Sequence, residues 1–120
     1  MSTLKLDTLS NKAGTASVPS DTIVSGTAKA WVNFNGTGTV AIRRAFNVSS
    51  ITDNGTGDYT VNFTNAMSDA NYIMAGSMSA TAGATYAVWT HTMSTSSIRV
   101  QSGNYGAYVD GLIMSVAIFS

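Results

Sequence analysis

His91 is the single histidine of the sequence, and its presence with many serines and six aspartates raises the question of Ser-His-Asp chemistry. Such catalysis needs a histidine that is oriented by an acid and placed beside its nucleophile. The G-x-S-x-G turn that exposes the serine of many hydrolases is absent. His91 instead ends an alternating stretch, residues 85–91, which is typical of a half-exposed strand. We therefore expect His91 to be a strand residue and not a catalytic base.

Asp53 and Asp58 bound the string DNGTGD, which admits two kinds of carboxylate chemistry. A pair of carboxylates about 5–10 Å apart could hydrolyse a glycosidic bond. The string also resembles a calcium loop, but such loops usually close with a bidentate Glu, and the sequence contains no Glu. The alternation on both sides predicts a tight hairpin turn instead, with both carboxylates in solvent. We assign no catalytic residue, no metal ligand and no cofactor.

Aromatic residues cluster in the second half of the chain among Asn and Ser residues: Tyr86, Trp89, Tyr105 and Tyr108. Large rigid rings beside polar groups suit contact with a saccharide or a protein. Ordinary packing is the alternative, and it fits Trp89, which shares a strand face with Ala87. The residues that we name as possible receptor contacts are Tyr86, Tyr105 and Tyr108.

The composition argues against several classes of partner. Charged residues make up only 10% of the chain, against about 25% in ordinary domains, and the formal net charge is zero. Arg43-Arg44 is the one basic doublet, so no nucleic-acid surface is expected. The chain has no Cys, begins with polar residues and contains no apolar run near the roughly 20 residues of a membrane helix. This surface is typical of β assemblies whose faces are covered by neighbouring chains.

The segment from Ala28 to Phe63 organises the rest of the chain. Its apolar residues alternate with polar ones, which predicts β-strands, and two Asn-Gly strings interrupt it where tight turns are expected. Tyr59, Val61 and Phe63 share one face. The apolar phase continues across residues 39–48, which predicts one long strand there.

The remaining sequence adds strands and a distinct N-terminal segment. Turn signals recur every 8–12 residues, and residues 107–119 are apolar on both faces, as in a central strand or one covered by a second subunit. We predict an all-β fold: a single small β-sandwich or barrel-like domain of about seven or eight antiparallel strands over residues 22–120, with a short strand at 22–25. Residues 1–21 are predicted to form an extended attachment arm that carries Leu4, Leu6 and Leu9.

The string AKAWVNFNGTGTVAIRRAFNVSSITDNGTGDYTVNFTNAMSDANY, residues 28–72, resembles a module of tailed-phage structural proteins of the marine and cyanobacterial type, commonly labelled tail fibre. The opening STLKLDTL, residues 2–9, resembles the start of the same proteins. Together the two strings cover well over half of the chain. Residues after about Met78 resemble the family less.

The resemblance implies a homotrimeric structural protein on the virion surface, assembled in the host cytoplasm. It implies a short tail fibre or tip, anchored to other virion proteins by its N-terminal arm, with a host glycan or protein as a further candidate contact. A capsid decoration protein, such as a head fibre or cement protein, is the alternative. A glycan-binding or depolymerase module is less well supported, and no enzymatic activity is expected.

Overall fold

A computed structural model describes residues 2–80, 85–104 and 106–120. Within these ranges the chain forms eleven β-strands and one α-helix. The N-terminal elements are β1 (Thr8–Ser10), β2 (Ser17–Pro19) and α1 (Ser20–Gly26). The next four strands are β3 (Ala28–Asn35), β4 (Ala41–Phe46), β5 (Val48–Gly55) and β6 (Asp58–Phe63). The last five are β7 (Ile73–Ser79), β8 (Ala87–Met93), β9 (Ser97–Asn104), β10 (Ala107–Tyr108) and β11 (Ile113–Phe119).

Two antiparallel sheets face each other across one core. The four-stranded sheet has the order β4-β3-β11-β7, and the five-stranded sheet has the order β10-β9-β6-β5, with β8 also paired to β9. The core is drawn mainly from β3 and β11 of one sheet and from β6 and β9 of the other. The all-β, sandwich-like prediction is confirmed. Closure into a barrel is not observed, and the prediction of seven or eight strands was too low because short strands such as β1, β2 and β10 lack a periodic signal.

The alternation predicted for the central segment sets the core. Val32 and Phe34 of β3 are buried, and so are Tyr59, Val61 and Phe63 of β6. The rings of Phe34 and Tyr59 meet edge to face across the two sheets, with centroids 5.2 Å apart. Each strand therefore gives one face to the core and leaves the other face outside.

The single long strand predicted for residues 39–48 is wrong, because Asn47 divides it. Asn47 adopts a left-handed backbone conformation, with φ of 54°, which Asn tolerates better than most residues. Its side chain accepts a hydrogen bond from the Asn65 N–H at 2.7 Å and donates one to the Lys29 carbonyl at 3.0 Å. At this corner the chain leaves the four-stranded sheet as β4 and enters the five-stranded sheet as β5.

A bulge in β4 also changes the predicted apolar phase. Ile42 pairs with Phe34, but Phe46 pairs with Trp31, and the register shifts between these pairs at Arg43. Side chains paired across strands share a face, so Ile42 lies on the face of Phe34 and Phe46 on the face of Trp31, and both side chains stay exposed, by 38% and 53%. The Arg43 guanidinium donates to the Leu112 carbonyl at 2.7 Å.

The C-terminal segment is two strands and not one. β10 extends the five-stranded sheet, whereas β11 lies in the four-stranded sheet between β3 and β7. Met114, Val116 and Ile118 of β11 are buried. The central position of β11 in its sheet explains why the side chains on its inward face are apolar.

The N-terminal segment is not simply extended. β1 and β2 form a hairpin whose loop is closed by Asn11, which accepts hydrogen bonds from the Thr15 and Ala16 N–H groups. Helix α1 replaces the strand predicted at 22–25, and it contains no buried residue. Leu4, Leu6 and Leu9 are exposed, Leu4 by 82%. The Cα radius of gyration is 17.1 Å, against about 13.6 Å for a compact domain of this length, as expected if this exposed segment projects from the sandwich.

The turn between β5 and β6 is locked to the loop that precedes β11. The Asp110 carboxylate accepts hydrogen bonds from the Gly57 N–H at 2.8 Å and from the Tyr59 hydroxyl at 2.6 Å. The Tyr59 hydroxyl also lies 3.0 Å from the Gly36 carbonyl oxygen. Burial raises the pKa of Tyr59, and the hydrogen bond to Asp110 adds to this increase. These contacts join the two sheets at one end of the sandwich.

Candidate functional site

The outer face of the five-stranded sheet carries a hydrogen-bonded polar network centred on Asp58. Arg99 binds this carboxylate with two donors, Nε at 2.8 Å and Nη2 at 2.7 Å. Gln101 donates a third hydrogen bond at 3.0 Å, and Asn54 donates a longer one at 3.3 Å. The carboxylate is thus surrounded by donors and held in place. The hydrogen bonds from Arg99 hold the pKa of Asp58 well below its usual range.

Replacing Asp58 should make stability less sensitive to acid. A carboxylate with a lowered pKa in the folded state stabilises the protein above its unfolded-state pKa, and that stability is lost as pH falls toward the folded-state value. We expect the free energy of unfolding of the wild type to decrease from about pH 5 downward. Asp58→Asn should lose about 1–2 kcal/mol at pH 7 and show a shallower decrease, measured by urea denaturation between pH 7 and pH 2.

The control for this experiment is Asp21→Asn, because Asp21 lies in the exposed helix α1. This variant should follow the wild-type pH profile. An Asp58→Asn profile with the same slope as the wild type would contradict the role that we give to the ion pair.

An aromatic pair lies next to this network. The rings of Trp89 on β8 and Tyr108 on β10 have centroids 6.1 Å apart and planes inclined by 31°. Trp89 is paired with Gln101, and Tyr108 with Gly103, on opposite sides of β9. The glycine has no side chain between the two rings. Trp89 is 37% exposed and Tyr108 is 53% exposed, so the pair presents an aromatic surface to solvent.

The position of Trp89 is fixed by hydrogen bonds. Its indole N–H donates to Gln101 Oε1 at 3.1 Å, and the Gln101 amide in turn donates to Asp58. The aromatic pair and the ion pair are therefore parts of one connected network. Farther along β9, a groove of about 260 Å³ is lined by Thr60, Thr92, Ser94, Ser97 and Arg99.

The outer face of the four-stranded sheet is chemically different, because large apolar side chains are exposed on it on either side of a polar row formed by Asn33, Ser115 and Ser77. Trp31, Phe46, Ile73 and Ile113 are exposed on this face, Ile73 by 68%. Phe119 pairs with Ile73 and is partly buried. Arg44, paired with Asn33 at the β4 edge, supplies a charge on this face.

Small residues lie between these large ones. Ala117 of β11 pairs with Ala75 on one side and Trp31 on the other, and Ser115 pairs with Ser77. These small residues line the bottom of a shallow groove of about 420 Å³. We call this surface the apolar face and define it by Trp31, Phe46, Ile73, Ala75, Ile113, Ala117 and Phe119.

The three tyrosines that the sequence names as possible receptor contacts have different surroundings where the structure describes them. Tyr108 packs against Trp89, whereas Tyr86 is half-buried just before β8 and Tyr105 lies outside the described residues. Sequence reasoning interpreted Trp89 as ordinary packing. The alternation of residues 85–91 places Trp89 on the face opposite to Val88, which is the outer face of β8. This position could have predicted an exposed tryptophan, because a side chain on the outer face of a strand is in solvent unless another part of the protein covers it.

The other residues with possible chemistry already form hydrogen bonds within the chain. His91 is exposed and its Nδ1 lies 2.7 Å from the Thr92 hydroxyl. The Asp53 carboxylate accepts the Gly55 N–H at 3.0 Å. Across residues 2–80, 85–104 and 106–120, no three His, Cys, Asp or Glu side chains are grouped as a metal site requires.

In the part of the chain that the structure describes, no helix has the length and apolarity needed to cross a membrane. Comparison with known proteins identified no matching family model, no matching curated protein and no matching solved structure.

Proposed function

We propose that this protein is a non-enzymatic bacteriophage structural protein, displayed on the virion surface as a homotrimer. The apolar face is the observation that carries the proposal, because it supplies a contact surface between copies. The resemblance of residues 28–72 to tail-fibre modules supplies the viral role and the number of chains. A short tail fibre or tip is the form that we favour.

The physical reason for self-association is the cost of leaving the apolar face in water. Contiguous exposed apolar surface marks an interaction site or an aggregation hazard. Burying it contributes about 25 cal/mol per Å², and obligate interfaces commonly bury a few thousand Å². The zero net charge of the chain gives little repulsion between copies.

The exposed N-terminal hairpin supports the idea of a separate attachment segment. Leu9 on β1 pairs with Val18 on β2, and both lie along a shallow groove on this hairpin. In this proposal Leu4, Leu6 and Leu9 contact another virion protein of the tail or capsid. Their exposure in the single chain is what such a contact requires.

The proposal that the protein is not an enzyme is supported by the state of Asp58. A general acid needs a pKa near the working pH, whereas the hydrogen bonds from Arg99 hold the Asp58 pKa low. Single replacements of Asp53, Asp58 and His91 with Ala should therefore leave any glycan degradation by virions unchanged.

The mass of the purified protein in solution tests the trimer. We expect a species of three 12.5-kDa chains at micromolar concentration, by light scattering and native mass spectrometry. The apolar face should be protected from exchange or labelling in that species. A stable folded monomer at the same concentration would refute the trimer.

A capsid decoration protein is the second candidate, since the apolar face and the hairpin fit either location. Imaging virions with antibody against residues of the exposed hairpin distinguishes the two. Labelling at the tail supports the fibre, whereas labelling in many copies over the capsid supports decoration.

A further inference from the structure

The outer face of the five-stranded sheet has the chemistry of a ligand site, and it is separate from the apolar face. It combines an exposed aromatic pair, Trp89 and Tyr108, with a groove that begins two residues farther along β9 from Gln101, the partner of Trp89, at Arg99, and extends to Ser97. Arg99 lies two residues along β9 from Gln101, the partner of Trp89, and four from Gly103, the partner of Tyr108, which are spans of about 7 Å and about 14 Å. The aromatic surface and the groove are therefore near enough for one ligand of two or three linked rings to contact both.

The aromatic pair selects for a ligand with a flat, weakly polar face. Aromatic rings carry negative charge on their faces, so they attract the polarised C–H groups on one side of a pyranose ring. Tyr and Trp also provide large contact area at low cost in conformational entropy. The Trp89 N–H is already bonded to Gln101, which leaves the ring free for stacking and reduces the ordering needed on binding.

The polar residues select for hydroxyl groups and against charge. Thr60, Thr92, Ser94 and Ser97 place hydroxyls along the groove. Thr60 accepts a hydrogen bond from Asn54, Thr92 shares one with His91, and Ser94 and Ser97 are bonded to each other. A hydroxyl has one donor and two acceptor positions, so Thr60 and Thr92 keep hydrogen-bonding capacity for a ligand. Arg99 is the cation of the groove, and Asp58 neutralises it at 2.7 Å. A strongly anionic ligand such as nucleic acid would therefore find no net positive charge here.

From these features the geometry points to a binding site for an uncharged oligosaccharide, with pyranose rings stacked on Trp89 and Tyr108 and hydroxyls bonded along the groove beside Arg99. The site lies within one chain. It therefore does not depend on how many chains assemble or on the viral role proposed above.

The test starts with an array of neutral hexose and N-acetylhexosamine oligosaccharides, with uronic-acid and sialylated oligosaccharides as the acidic set. The strongest neutral binder is then titrated by calorimetry against the whole protein. We expect binding of neutral oligosaccharides at sub-millimolar to millimolar Kd, which is about −4 to −6 kcal/mol.

Variants locate the site. Trp89→Ala and Tyr108→Ala should each weaken binding at least tenfold, whereas Trp89→Phe, which keeps a ring, should weaken it only a few-fold. Ile23→Ala is the matched control, because Ile23 is 40% exposed in α1, similar to Trp89, and it should bind like the wild type. Circular dichroism and the mass in solution of each variant establish that it is folded and whether it is still a trimer.

Several results would overturn the inference. They are the absence of any neutral binder, preference for the acidic set, or unchanged affinity in both alanine variants. Attachment to cells that survives periodate oxidation of glycans but not protease treatment would assign this face to a protein partner. Loss of saccharide binding with an intact trimer refutes only this site, and a monomer that still binds the saccharide refutes only the trimer.

Discussion

Ala117→Asp is expected to convert the homotrimer that we propose into folded monomers. Ala117 lies in the middle of the apolar face, between Ala75 and Trp31. A carboxylate at this position would be buried between copies without a partner, and leaving a charge uncompensated in an interface costs about 3–5 kcal/mol. Because a homotrimer repeats the substitution in each chain, the loss is incurred three times. Native mass spectrometry should show a species of one chain.

The control places the same side chain on the opposite side of the molecule. Thr52→Asp lies on the exposed outer face of the five-stranded sheet, away from the apolar face, and should leave the trimer intact. If Ala117→Asp does not fold, Ile73→Asp at the rim of the apolar face provides a second test, since Ile73 is 68% exposed. Trimers that persist in both variants would refute the apolar face as the contact between copies.

Gly57→Ala is expected to destabilise the fold far more than Gly38→Ala. The two glycines have almost the same backbone, with φ of 61° and 59°, so each alanine incurs the same left-handed strain of about 1–2 kcal/mol. A Cβ at Gly57 would lie 2.5 Å from the Ser102 carbonyl oxygen and 2.7 Å from the Val109 nitrogen, whereas a Cβ at Gly38 meets nothing within 4 Å.

The difference between the two variants therefore measures the close approach alone. To admit the methyl group, the turn must move away from Ser102 and Val109, which weakens the hydrogen bond from Gly57 to Asp110 and with it the junction between the sheets. We expect Gly57→Ala to lose about 3 kcal/mol or more and Gly38→Ala about 1–2 kcal/mol, by urea denaturation at one protein concentration. Equal losses would contradict the locked turn.

Local pattern was sufficient for the strands of the core. Alternation in residues 28–35 and 58–63 predicted both the strands and their buried residues, because a side-chain period of two is a property of the strand itself. The same reasoning wrongly predicted one continuous strand over residues 39–48. A bulge at Arg43 and the left-handed backbone of Asn47 change which face of the sheet the following side chains occupy. Neither feature alters the apolar pattern enough to be seen in the sequence.

The sequence by itself determined that this chain is β-rich, nearly uncharged and without an evident catalytic motif, since these properties follow from composition and short-range spacing. Only the tertiary structure decided which side chains meet. Asp58 on β6 is hydrogen-bonded to Arg99 and Gln101 on β9, and Trp89 contacts Tyr108 across β9. The apolar face is made of residues from four strands. Such contacts depend on strand order and register, which are set by the packing of the whole core and not by any local stretch of residues.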